Sequence, residues 1–175
     1  MGVRVRIGNG LAIVFVALLA GACQMPAQER AAMAVDHAAS LEAPVEAFLD
    51  VWHTGNTDAV DTIVDASFER RAPADGALSG PEELKGLVTR FHTAFPDMRV
   101  IADQVYYLED TAILHWTFTG TNTGPGDWEP TGKAVSVSGM TELRLSGGKV
   151  VLEDVYFDAL GWMEQLGFSL APPAG

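Results

Sequence analysis

The 175-residue chain has one cysteine, Cys23, so no disulfide can form within it. It is also poor in basic residues. Only 11 Lys and Arg face 23 Asp and Glu, a balance that excludes a surface built to hold nucleic acid or anionic lipid. The acidic side chains are scattered rather than gathered in blocks, the pattern of a solvated surface. The four histidines, His37, His53, His92 and His115, show no metal-ligand spacing with one another or with Cys23, so no metal is expected. There is no internal repeat of roughly 20–50 residues. The serines lack the strand-turn-helix setting of a nucleophile, and Gly8-Asn9-Gly10 is not a phosphate loop.

What is present begins at the N-terminus. Arg4 and Arg6 precede an unbroken apolar run from Leu11 to Ala20. A run of about ten residues suits the core of an export signal and is half of what a bilayer-spanning helix requires. Ala20-Gly21-Ala22 follows, then Cys23. The small residues alone suit ordinary signal-peptide cleavage. Leu19-Ala20-Gly21-Ala22-Cys23 also resembles a bacterial lipobox, whose cysteine becomes a thioether-linked diacylglycerol before the cut. Because the single thiol falls where a lipobox requires it, residues 1–22 are expected to be a lipoprotein signal and Cys23 the lipid-bearing first residue. More than one acyl chain would give stable anchoring. Gln24 is not the Asp of an inner-membrane retention signal, so the expected address is the outer membrane, facing the periplasm. Losing two of the 11 basic residues would leave nine against 23 acids, a net charge of −14.

Residues 23–39, rich in Ala, Gln and Pro, read as a tether, and 40–170 as one domain. Val45, Phe48, Leu49 and Trp52 form a helical stripe that Gly55 stops. Val60, Ile63 and Val64 predict a short second helix. A third begins at Ser79-Gly80-Pro81, with Glu82 and Glu83 at the positive end of its dipole and Leu84, Leu87, Val88 and Phe91 as its stripe, and ends before Pro96. The period then changes to two. Strands are predicted over 100–108, 112–119, 135–145 and 150–157, the last two joined by Ser146-Gly147-Gly148, in an antiparallel meander. A final helix spans 159–166. Helices first and strands after give an α+β fold, a curved antiparallel sheet with helices on its concave face and a pocket at one end.

Several short motifs then recur in a specific order: Phe95-Pro96-Asp97-Met98, Gly120-Thr121-Asn122-Thr123-Gly124, Pro130-Thr131-Gly132-Lys133, Gly147-Gly148-Lys149-Val150, and Phe157-Asp158-Ala159-Leu160 with Gln165-Leu166-Gly167. With Val51-Trp52-His53-Thr54-Gly55-Asn56 and Gly80-Pro81-Glu82 upstream, this series resembles the SnoaL-like polyketide cyclase (ester cyclase) family, cone-shaped members of the nuclear-transport-factor-two-like superfamily. The resemblance covers roughly residues 42–168. It implies an enzyme that closes a ring by intramolecular aldol condensation, without metal or organic cofactor, as a homodimer, with an aspartate as acid/base. Asp158 matches that aspartate. Where the family commonly has His and Trp, this chain has Asn122 and Asp154, and Arg71 lies near a position where the family often has a polar pocket residue.

The residues themselves leave alternatives open. A carboxylate at the inner end of a sheet, among aromatics, would have its pKa raised and could move a proton alpha to a carbonyl. Asp158 could equally be the N-cap of the helix from Ala159. Strand alternation puts Asp154 and Tyr156 on the face of Asp158, unless a bulge breaks the alternation and leaves Asp154 a surface acid. Tyr156 is then a hydrogen-bond donor to an enolate oxygen, or pocket wall. His115, on the face opposite Leu114, Trp116 and Phe118, is a polar pocket group or a structural one. Trp52, Phe91, Phe95, Trp116, Phe118 and Trp162 are cavity walls or ordinary core, and Asn122 stands at the pocket mouth. The expected partner is a small apolar molecule. The competing functional reading is a non-catalytic envelope lipoprotein that binds such a molecule.

Overall fold

The apolar periods become four helices and six strands in a computed structural model, which describes residues 26–73, 76–127, 129–169 and 171. Cys23 and the expected signal lie outside the described residues. Helix α1 (Ala27–Thr54) begins well before the predicted stripe, so most of the stretch read as a tether is helical. Leu41 is the first of its described side chains to enter the core, followed by Val45, Phe48 and Val51 on one face. A single 3₁₀ turn, Thr57–Ala59, leads into α2 (Val60–Ile63). Val64, predicted as helical, instead opens strand β1 (Val64–Ala72), and β2 (Gly76–Ser79) follows. Helix α3 (Gly80–Ala94) ends at Phe95, before Pro96, as expected. Strands β3 (Arg99–Leu108), β4 (Thr111–Thr121), β5 (Ala134–Ser146) and β6 (Lys149–Phe157) match the predicted four within two residues, and α4 (Ala159–Leu166) matches its predicted span.

The sheet order is β2-β1-β6-β5-β4-β3. Strands β3 to β6 form the expected antiparallel meander; β1 pairs parallel to β6, so the sheet is mixed and has six strands rather than four. The missed pair has a physical reason. The segment Val64–Ala72 carries Asp65, Glu69, Arg70 and Arg71, and its burial pattern is irregular, so no alternation marks it as a strand. Its partner, β6, is some 80 residues away, and only the tertiary fold supplies that ladder. Between β5 and β6, Gly147 (φ 58°) and Gly148 (φ 78°) adopt the left-handed conformations that a two-residue hairpin requires.

Three register shifts bend the sheet around its helices, one in β1 between Val64 and Glu69, one in β3 and one in β6. Asp103 is the extra residue on β3 and Val151 the extra residue on β6. In the resulting hollow α1 packs on β3, α3 on β1 and α4 on β5. One end is filled by aliphatic residues such as Val45, Leu84, Val88, Leu143 and Val150, which pack tightly. The other end is aromatic, built from Phe95, Phe118 and Trp162 with Val135, Val137 and Leu166. Trp52 and Trp116 pack against both.

Candidate active site

The site lies between those two clusters. Inward-facing residues form rows across the sheet. One row is Arg70, Glu153, Leu143 and Ala112; the next is Val155, Thr141 and Leu114; a third is Phe157, Gly139 and Trp116. A Cβ at Gly139 would overlap the Trp116 ring, so this glycine lets the indole lie flat across β5. Above the rows, α1 contributes Phe48, Leu49 and Trp52, α3 contributes Phe91, and α4 contributes Trp162. Together they line a cavity of about 70 Å³.

Its walls are apolar with three polar exceptions among the described residues: Arg70, Glu153 and Thr141. Arg70 Nε and Glu153 Oε2 stand 3.1 Å apart, and both side chains are about 5% exposed. The Arg70 guanidinium also lies 5.9 Å from the Trp52 ring centroid, within cation–π range. Thr141 Oγ1 accepts a hydrogen bond from Trp116 Nε1 at 2.8 Å. That bond occupies a lone pair of the hydroxyl and leaves its own proton without an acceptor among the described residues. A buried carboxylate, a guanidinium and a hydroxyl donor therefore meet at one end of an otherwise greasy hollow. This set can take up a proton and stabilise negative charge on an oxygen.

The residues predicted for the site divide. Trp52 and Trp116 line the cavity as expected, as do Phe91, Phe118 and Trp162. Asp158 does not. It is exposed, and its Oδ1 accepts from Gly161 N at 2.9 Å as the N-cap of α4. The desolvation that an acid/base role for Asp158 requires is absent. Tyr156 is 56% exposed and Asp154 faces the same outer side, where its carboxylate lies 3.9 Å from Arg71. The extra residue Val151 explains both. It shifts the alternation by one, so Glu153, Val155 and Phe157 point inward instead of Asp154, Tyr156 and Asp158. His115 is likewise on the outer face, edge-on to Tyr106 at 5.9 Å between ring centroids. Phe95 packs on Phe118 and Trp162 but belongs to an outer groove rather than the cavity.

Asn122 also lines that groove, yet both ends of its side-chain amide are bonded to the backbone around it. Oδ1 accepts from Thr131 N at 2.9 Å and Thr131 Oγ1 at 3.1 Å, while Nδ2 donates to the Ala94 carbonyl at 3.2 Å. It clasps the loop after β4 to the end of α3. Asp97 does similar work nearby: its carboxylate accepts from Thr121 N at 2.6 Å and Thr121 Oγ1 at 2.7 Å. Those two bonds hold the Asp97 carboxyl below the ordinary carboxylate range. His92 Nε2 donates to the Trp52 carbonyl at 3.0 Å and His53 Nδ1 to the Val100 carbonyl at 3.2 Å, so both fasten α1 to its neighbours. Among the described residues no group of His, Cys, Asp and Glu is placed to hold a metal.

Sequence reasoning missed Arg70, Glu153 and Thr141. A signal for Glu153 existed in Val150-Val151-Leu152, three apolar residues in a row on a strand that should alternate.

A family model for SnoaL-like polyketide cyclases matches residues 43–166. The chain belongs to that family. Solved structures share its fold. A putative SnoaL-like polyketide cyclase from Jannaschia sp. CCS1 is 22% identical with a TM-score of 0.68, covering 78% of this chain and 96% of that one. TsrD from Streptomyces laurentii is 24% identical with a TM-score of 0.66, covering 74% and 96%. An LEH-like epoxide hydrolase from M. tuberculosis is 16% identical with a TM-score of 0.61, covering 74% and 90%. At these identities the likeness establishes the cone fold. No curated protein matches the chain. The motifs that carry the SnoaL-like resemblance largely build the rim of the cone, through Asp97, Asn122 and the Asp158 cap, rather than the polar end of its cavity.

Proposed function

We propose that this SnoaL-like protein is a cofactor-independent acid/base enzyme acting on a small, largely apolar carbonyl compound, with Glu153 rather than Asp158 as the proton-transfer group. The observation that carries this is the buried Arg70–Glu153 pair, the only charged groups on the cavity wall among the described residues. In this reading a carbonyl oxygen faces Arg70 and the Thr141 hydroxyl. The Glu153 carboxylate takes a proton from the adjacent carbon, and the electron pair of the broken C–H bond moves onto the oxygen as an enolate held by those two donors. Glu153 then returns the proton, to carbon in an isomerisation or to the new alkoxide after the enolate carbon attacks a second carbonyl. Both outcomes share the first step.

That first step is testable without knowing the natural substrate. Proton NMR in D₂O should show the protein exchanging the alpha protons of 2-butanone or 2-pentanone. Glu153→Gln should lose the exchange, and Asp158→Asn should keep it. Exchange by Glu153→Gln at the wild-type rate would reject the assignment.

A second reading has its own support. The cavity walls are almost wholly apolar and the family's aspartate is engaged as a helix cap, which suits a ligand-binding protein without turnover. It predicts ketone binding without exchange in the wild type. The lipid on Cys23, the periplasmic face of the outer membrane as address, and a homodimer are likewise proposed; intact-mass spectrometry of the mature protein and light scattering test them. Unmodified Cys23 in the mature chain would reject the anchor.

A further inference from the structure

The small cavity is next to a much larger space. An outer groove of about 790 Å³ runs between α3, the loop after β4 and α4. Three side chains line both spaces: Phe91, Phe157 and Trp162. They are the wall between them. Of the three, Trp162 is the most deeply packed. Its ring centroid lies 4.7 Å from that of Phe118 and 5.3 Å from Phe95, and it is 8% exposed.

Trp162 is carried by α4, a helix fastened at two ends. At the start, Asp158 caps it through Gly161 N, and Trp162 N itself donates to the Asp158 carbonyl at 3.0 Å. At the finish, the Gln165 side-chain amide pairs with the backbone of Ser136 in both directions: Ser136 N donates to Oε1 at 2.7 Å and Nε2 donates to the Ser136 carbonyl at 3.1 Å. This amide occupies the stretch of β5 edge that β6, ending at Phe157, leaves unpaired.

We infer that Trp162 is the partition that sets the length of molecule the cavity accepts, with Asp158 and Gln165 as positioning residues that hold it shut. The cavity has room for on the order of five water-sized groups, taking about 10–15 Å³ for each. With the indole in place the cavity therefore takes short-chain carbonyl compounds, and a multi-ring substrate does not fit. The carbonyl part of this statement rests on the function proposed above; the partition does not.

The experiment is calorimetric titration of the purified full chain with straight-chain 2-alkanones from 2-butanone to 2-nonanone. In the wild type affinity rises about fourfold per buried methylene and levels off near five or six carbons. In Trp162→Ala, where cavity and groove join, the rise continues to 2-nonanone. Trp162→Phe, which keeps a smaller ring as filler, levels off at an intermediate length. Asp158→Asn, whose amide oxygen caps as well as a carboxylate, follows the wild type, whereas Asp158→Ala shifts toward the Trp162→Ala profile. A wild-type profile that never levels off, identical profiles for wild type and both Trp162 variants, or no ketone binding at all would overturn the inference. Loss of exchange in Glu153→Gln is read separately, so either idea can fail alone.

Discussion

Strands β1 and β6 carry two ion pairs in adjacent register positions, and they have opposite surroundings. Arg70 and Glu153 point into the cone, 3.1 Å apart and about 5% exposed. Arg71 and Asp154 point out, 3.9 Å apart, with Arg71 59% exposed and nearer to Glu69 at 2.8 Å. The chemistry of the two pairs is the same. The difference is desolvation: water screens the outer pair, while the inner pair sits among apolar walls out of water. A buried ion pair is no simple gain in stability, because an apolar pair of similar volume often packs at least as well. Its presence in an apolar hollow is thus the feature that most needs a function.

The largest effect should come from breaking the inner pair one partner at a time. Arg70→Ala or Glu153→Ala should each cost about 3–5 kcal/mol in denaturant unfolding, since each strands a buried charge. The double variant Arg70→Met with Glu153→Leu should recover most of that stability while losing alpha-proton exchange. Recovery of both stability and exchange would make the pair purely structural. Next in size is Thr141→Val, which leaves Trp116 Nε1 without its acceptor; about 1–3 kcal/mol is expected, with Thr141→Ser close to wild type.

A smaller effect sharpens the comparison with a carboxylate held by hydrogen bonds instead of a cation. Asp97 has a folded-state pKa lowered by the Thr121 N–H and hydroxyl from an unfolded value of 3.8. Its contribution is therefore fully present above that value and is lost as pH falls through the folded pKa. Melting temperature measured downward from pH 6 should fall below about pH 4, and Asp97→Ala should fall less steeply because it lacks this carboxylate. The smallest effect belongs to the outer pair: Arg71→Ala and Asp154→Ala should leave the melting temperature within error of wild type, and 1 M salt should not alter that result. A marked loss there would erase the contrast between the two faces.

Much of the fold was legible. The stripes of α1 and α3, the turn at Gly147-Gly148 and the four-strand meander follow from local periods and turn chemistry, which report directly on local structure. Strand β1 was not legible, because charges interrupt its alternation and its partner is remote. The candidate site was legible only by neighbourhood. The aromatic walls are legible, but an inward Asp158 follows from the resemblance, and alternation then carries Asp154 and Tyr156 to the same face. That alternation holds from 154 to 158, but the shared face is the outer one, because the extra residue Val151 brings Glu153 rather than Asp154 onto the inward face that Val150 begins.

Asp158 marks the boundary between the two kinds of knowledge. An Asp directly before a helical stretch is a good N-cap wherever that helix packs, because the bond to Gly161 N is local. The sequence by itself determined this, together with the helices, the hairpins and the acidic, disulfide-free surface. Which carboxylate is taken out of water is decided by the bulge on β6, by the parallel pairing with β1 that sets Arg70 beside Glu153, and by the aromatic cover from α1, α3 and α4. Desolvation depends on what surrounds a group in space, and residues far apart in the chain supply those surroundings only once the sheet has curled.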